Sequence, residues 1–392
     1  MNRMIIVAGI FFVTASVNAQ TPLYSAYAAQ IGSGVWLSTT VFAAYLLGVL
    51  PVIVFLGGVS EYWGKRNIFL IGMTASFSAN FLLVLFPSFQ VLLLSRILEG
   101  VGVGLTLGTG TAYLSEYRGS SKSSNQSVRW VALSSAFGFG SGPVMTAGSL
   151  YLHDSIIPYS YVVLLIGIGI CMGFLVTLPN DRTSRKRPSL LQVFHTFKAP
   201  FVPSGSLIAC WSICTAWAVA GVVIAIVPIR LETVGLKGFA PFCIFLVTAT
   251  GAVIQPFIYR FRYEHAVQAG CALLVLGYTI LLAGMKIESP LLLMLGSTIS
   301  GAAAYGFIYS AGVGRVSKTS GDHKARAVSG FLIWAYLGLC LPSFGLGYLI
   351  DLAGASVGLV GFGVVLTVAC IILSSRVIRQ GNEKVIYPER SL

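Results

Sequence analysis

The chain has 392 residues, 56% of them hydrophobic and 9% charged, and a mean hydropathy of +0.85. A soluble domain carries about 25% charged residues, so a water-facing globule is excluded and an all-α, multi-pass membrane protein is indicated. The net charge of +13 would suit nucleic acid or anionic lipid, but the positions of the bases assign it to membrane topology instead.

Twelve apolar segments are expected near 4–27, 36–56, 67–86, 90–113, 130–150, 159–179, 205–229, 239–259, 267–285, 289–313, 327–350 and 354–375. The first imitates a secretory signal, with Arg3, an apolar run from Met4 to Val13 and Val17-Asn18-Ala19 as a cleavage-like site. It is read as an uncleaved span carrying the polar groups Asn18, Gln20 and Tyr24. The second and third segments flank the charged hinge Gly57–Arg66. The fourth holds Arg96 and Glu99, three apart and so on one helix face. Charge inside a span costs about 2.5–3.5 kcal/mol on insertion scales, so a partner or wet cavity is expected. Gly100, Gly104 and Gly108 follow at the spacing of a helix-packing groove. The fifth segment contains Gly138-Phe139-Gly140-Ser141-Gly142-Pro143, a bend with a glycine face expected to meet the eighth span.

Between Pro179 and Ser204 lies the longest hydrophilic stretch between spans, with Arg182, Arg185-Lys186-Arg187 and Pro188, Pro200 and Pro203. It divides the chain into a six-helix half over 1–179, a basic cytoplasmic linker over 180–204, and a second six-helix half with a short tail over 205–392. The second half carries the aromatic candidates for substrate contact: Trp211 and Trp217, Tyr305 and Tyr309, Trp334 and Tyr336. With the N-terminus in the cytoplasm, twenty-one of the 25 Lys and Arg fall on that side; Arg230, Lys237 and Lys286 fall outside and Arg96 lies within a span. This is a strong positive-inside bias, and it places both termini in the cytoplasm. No nucleic-acid partner is expected.

A weak internal repeat supports the two halves. Gly142-Pro143 is followed by Gly148 and Tyr151, and Leu341-Pro342 by Gly347 and Tyr348, with the two prolines 199 positions apart in 392. Same-orientation repeats of this kind are a transporter plan.

On these motifs the chain resembles a major facilitator superfamily transporter along its whole length. The family's loop motif runs G-x-L-x-D-R-x-G-R-K. Gly57, Val59, Glu61, Gly64, Lys65 and Arg66 stand at its positions, with Glu for Asp and Tyr62 where an Arg belongs. The resemblance implies a gate, in which the acid meets the eleventh helix and the bases lock the halves on the cytoplasmic side. Arg96–Gly102 is similar to the family's R-x-x-Q-G-x-G, with Glu99 for Gln, and makes this pair the candidate for proton coupling. Gly138, Gly142 and Pro143 resemble the G-x-x-x-G-P signature of proton-antiport exporters, although Thr146-Ala147 replaces the glycine pair that follows it.

The expected activity is proton-coupled export of a small organic molecule, such as a drug, metabolite or siderophore-like compound, by alternating access from a monomer in the cell membrane. The alternative is proton-coupled uptake of an organic nutrient or anion, with Arg96 or Arg129 holding a carboxylate. A membrane enzyme or receptor is the remote alternative: the sequence carries no phosphate loop, H-E-x-x-H or nucleophile elbow. No cofactor and no metal site are expected, because the seven cysteines sit within apolar segments and the four histidines are scattered over loops.

Overall fold

The computed structural model describes residues 2–32, 34–56, 63–116, 122–153, 155–177, 199–258 and 260–386. In chain order its helices are α1 (Asn2–Ala19), α2 (Tyr24–Ala28), α3 (Val35–Phe55), α4 (Lys65–Leu85), α5 (Phe89–Glu116), α6 (Lys122–Leu152) and α7 (Tyr159–Thr177). They are followed by α8 (Leu207–Ala225), α9 (Val227–Thr233), α10 (Ala240–Ile258), α11 (Tyr263–Lys286), α12 (Pro290–Gly301), α13 (Tyr309–Thr319), α14 (Lys324–Ala353) and α15 (Ala355–Ile386). Among the described residues, eleven helical stretches are long and apolar enough to cross a membrane. The fifth of the twelve expected places is filled by α6, a 31-residue helix. Its first two turns, with Lys122, Ser123, Ser124, Asn125, Gln126 and Arg129, dilute its apolarity and put its start eight residues ahead of the expected boundary at 130.

The first span is not one helix. It breaks after α1, and Thr21–Leu23 form a 3-10 turn before α2. The cause is Pro22, which has no N–H to give to the carbonyl four residues back, that of Asn18. The Thr21 hydroxyl donates to this carbonyl at 2.7 Å instead. The tenth span is also interrupted. Between α12 and α13, Ala302–Ile308 form a π-helix, a widened turn that is rare and concentrated at functional sites.

The chain divides into two compact units, Met1–Ala199 with Ala240–Phe245 and Pro200–Phe239 with Leu246–Leu392. The expected linker at 180–204 is described only from Ala199 onward. In the first unit, α1 lies on α6 and α5, and α5 packs on α3 and α4. In the second, α8 lies on α14, and α11 packs on α12 and α15. The fifth span therefore leans on the first within one unit as the eleventh leans on the seventh within the other.

Glycine makes these approaches possible. A methyl placed on Gly100 would run into the backbone of Tyr45 and Val49, and one on Gly48 into the Ile97 carbonyl. Gly338 is equally tight on Cys214. Without a hydrophobic drive between helices in lipid, such small-residue contacts supply the packing. Large apolar side chains point outward instead, including Val357, Val360, Val364 and Ile371 on α15 and Val163, Ile166, Ile170 and Phe174 on α7. Those faces suit lipid.

Candidate functional site

In the first unit the buried polar groups gather where α1 meets α5. Glu99 is 0% and Arg96 1% exposed. The Glu99 carboxylate accepts from Ser16 Oγ at 2.9 Å and from Asn80 Nδ2 at 3.0 Å, so α1 and α4 both hold it. Asn80 also donates to the Ser76 carbonyl. Arg96 does not close on Glu99 as the spacing suggested. Its Nη1 donates to the Val17 carbonyl, and its guanidinium stands 5.1 Å from the Tyr45 ring and 5.8 Å from the Tyr24 ring. Cation–π contact of this kind gains strength where water is excluded. The pair is thus two separately anchored charges on one helix face.

The other polar candidates of the first span divide in role. Tyr24 lies beneath Arg96 and is buried. The Asn18 amide donates to the Phe139 carbonyl of α6 at 3.0 Å. That carbonyl is the one Pro143 leaves unpaired, four residues on. Asn18 therefore closes two proline breaks, its side chain serving Pro143 and its carbonyl taking the Thr21 hydroxyl in place of Pro22. Gln20 is 0% exposed, and neither atom of its amide has a hydrogen-bond partner among the described residues. A buried polar group left so costs about 1–3 kcal/mol.

The glycine face of the bend in α6 packs on α1. A methyl on Gly138 would meet Thr14 and the Phe11 carbonyl, and one on Gly142 would meet the Ala15 carbonyl and Ala19 nitrogen. Ser134 Oγ donates to the Val7 carbonyl at 2.6 Å along the same seam. The physical reason is that α1, thin in side chains at Thr14, Ala15 and Ala19, allows the close approach the glycines require.

In the second unit four of the six aromatic candidates come together. The Trp217 ring lies 5.2 Å from Tyr305, 6.2 Å from Tyr309 in a stacked arrangement and 5.4 Å from Tyr336 edge-on. Trp217 is buried and its indole N–H has no partner among the described residues. Tyr305 rides on the π-helix, and Gln255 Nε2 donates to its carbonyl at 3.1 Å. Trp211 and Trp334 pair separately at 4.7 Å, with Trp211 50% exposed on the apolar outside of α8.

Of the hinge, Gly57, Glu61 and Tyr62 lie outside the described residues. Gly64 precedes α4 with φ +82°, a backbone region that favours glycine. Lys65 opens the helix, and Arg66 Nη1 reaches the Val176 carbonyl of α7 at 3.2 Å. Reasoning from sequence passed over Ser16, Asn80 and Tyr45. Asn80 was open to detection as an amide inside an apolar span that must find a partner. Ser16 and Tyr45 carry no such signal.

The sequence model of the Major Facilitator Superfamily matches residues 6–342. The chain belongs to this superfamily. Its fold is shared by a POT family transporter in complex with 5-aminolevulinic acid (TM-score 0.72, 13% identity, 96% of each chain covered). It is also shared by the D-xylose-proton symporter (0.71, 15%, 94% of this chain and 95% of that one) and by a mutant of the nucleoside transporter NupG (0.72, 14%, 96% and 99%). In sequence, the chain is 32% identical over 76 residues to monosaccharide-sensing protein 2 of Arabidopsis thaliana. That match spans 19% of this chain and 10% of the relative. The family and the fold are those of multi-pass transporters of small molecules.

Proposed function

We propose that the protein is a proton-coupled exporter of a small organic molecule, working by alternating access, with Glu99 as the proton carrier. The observation that carries this reading is the setting of Glu99: a wholly buried carboxylate, held by neutral donors from two neighbouring helices, one turn from a buried Arg96. Gain or loss of one proton changes the net charge of a site closed to water, where electrostatic interactions are strong. Ser16 sits on α1, the helix that also carries Asn18 and ends at Pro22, so the charge on Glu99 bears on a span already broken. The Gly138–Pro143 bend, seated on the same α1, supports the exporter reading through its likeness to the antiport signature. The Trp217 aromatic group offers rings and one N–H to an organic cargo. The hinge Gly57, Glu61, Gly64, Lys65 and Arg66 is assigned the gate, and both termini the cytoplasmic side.

A second reading, proton-coupled uptake of an organic anion, is favoured by one observation. Arg96 Nε has no partner among the described residues, although the residue is buried, so its guanidinium retains a donor for a carboxylate.

The test is transport in proteoliposomes with an imposed pH gradient, alongside counterflow of radiolabelled candidate compounds. Glu99→Gln keeps the shape and one of the two acceptor oxygens but cannot ionise. Expected is loss of gradient-driven flux with counterflow retained. Gradient-driven flux equal to the native protein's removes Glu99 as the carrier. A proton gradient that drives accumulation on its own downhill side selects uptake over export.

A further inference from the structure

In the second unit, the last turn of α10, the start of α11 and one face of α13 line a half-open cavity of about 530 Å³. It is separate from the Trp217 aromatic group. Among the described residues its charged lining is three bases, Arg262, Arg315 and Lys318, against one acid, Glu264. The acid is turned to Arg262, at 3.7 Å, in a pair whose arginine is 71% exposed. An exposed pair of that kind is worth little, and it leaves Arg315 and Lys318 without a countercharge in the wall.

Two further observations point to a ligand. The Arg315 guanidinium is held 5.4 Å over the Tyr263 ring, and its Nε has no partner. Ser310 is 5% exposed, lines the cavity, and its hydroxyl has no partner either. The Ser310 hydroxyl and the Arg315 Nε are buried atoms of residues that line one cavity, and among the described residues they are donors in want of acceptors. The volume is that of a small organic ligand, about 300–1,000 Å³, and exceeds the needs of a bare ion. Ile258, Phe261 and Ala311 give part of the wall an apolar surface.

We infer that this cavity binds a phosphomonoester. The ester's two negative charges match the lining's surplus of two positive ones. Two of its tetrahedrally disposed oxygens can accept from the Arg315 fork, and a third can accept a hydrogen bond from the Ser310 hydroxyl. The organic part of the ester lies on the apolar wall. This region is the second-half counterpart of the Gly57–Arg66 hinge, in which Arg260 and Arg262 survive while the acid and second glycine are gone. Loss of the hinge chemistry leaves its bases available to a ligand. The inference does not depend on the direction of transport or on Glu99.

The ester can belong to a soluble metabolite or to a lipid headgroup, and the probes separate these. Inositol 1-phosphate is titrated calorimetrically into the purified full-length protein, and phosphatidic acid is compared with phosphatidylcholine by native mass spectrometry. Binding of the first marks a soluble ligand, and selective retention of phosphatidic acid a lipid one. In either case Arg315→Gln combined with Lys318→Gln is expected to weaken binding about tenfold or more, the scale of one charge-assisted hydrogen bond, while Arg315→Lys weakens it less. Ser310→Ala, which alters no charge, provides a second variant with a smaller loss if the double variant does not fold. Binding of neither probe, or binding indifferent to Arg315, Lys318 and Ser310, overturns the inference.

Discussion

Gln20 and Asn18 are two residues apart, both amides and both buried, yet their side chains face opposite accounts. Asn18 satisfies a carbonyl that Pro143 orphans, so Asn18→Ala strands that carbonyl in the interior. The expected cost is about 1–3 kcal/mol, visible as a lower melting temperature in detergent; an unchanged melting temperature would show that the carbonyl finds another donor. The Gln20 side chain has no hydrogen-bond partner among the described residues. Replacing it with Leu removes two unpartnered polar atoms at similar volume, a change that is near neutral or stabilising. The expected result for Gln20→Leu is a melting temperature equal to or above native, with reduced transport, the pattern of a group kept for function at a cost in stability. A destabilised protein with native transport would refute this assignment.

The elements are joined by small residues, and that makes them sensitive to size. Gly48 on α3 and Gly100 on α5 face each other so closely that a side chain on either meets backbone, not the end of a flexible chain. Gly100→Val is expected to lose about 1–3 kcal/mol or more, the scale of overpacking, whereas Gly108→Ala, where an added methyl meets nothing, is expected to be neutral. Thermal unfolding of the two variants side by side checks the contrast, and equal losses would contradict it. The same reasoning explains the breaks. Pro22 and Pro143 each remove one donor, and the structure supplies a replacement from a side chain at Thr21 and Asn18. The broken first span and the π-turn under Tyr305 are held conformations with named hydrogen bonds, and they adjoin the two clusters assigned to coupling and to cargo.

For the whole molecule, the distribution of bases predicts orientation. A cysteine at Lys286 is expected to react with an impermeant maleimide in intact cells, and one at Arg379 only after permeabilisation. The seven native cysteines are buried or half-buried, so the background is low. Reaction at Arg379 in intact cells would invert the assigned topology. The same orientation makes the gradient experiment on Glu99→Gln interpretable, because coupling free energies of about 1–3 kcal/mol correspond to roughly 5–150-fold in affinity, well within the reach of a flux assay.

Composition, apolar run length and the positive-inside bias were enough to read twelve spans, because burial in lipid constrains each span locally and independently of its neighbours; the superfamily was legible only through the motifs that resemble its own. The hinge, the Arg96–Glu99 face and the Gly138–Pro143 bend were legible for the same reason: each is a short local pattern. Partnership was not legible. That Arg96 turns to Tyr45 and Val17 while Glu99 turns to Ser16 and Asn80, that Asn18 repairs the break at Pro143, and that Trp217 collects Tyr305, Tyr309 and Tyr336 are contacts between residues 19 to 121 positions apart. Local pattern carries no information on which distant donor an orphaned carbonyl or carboxylate finds. Only the packing of α1 against α4, α5 and α6, and of α8 against α12 to α14, decided it.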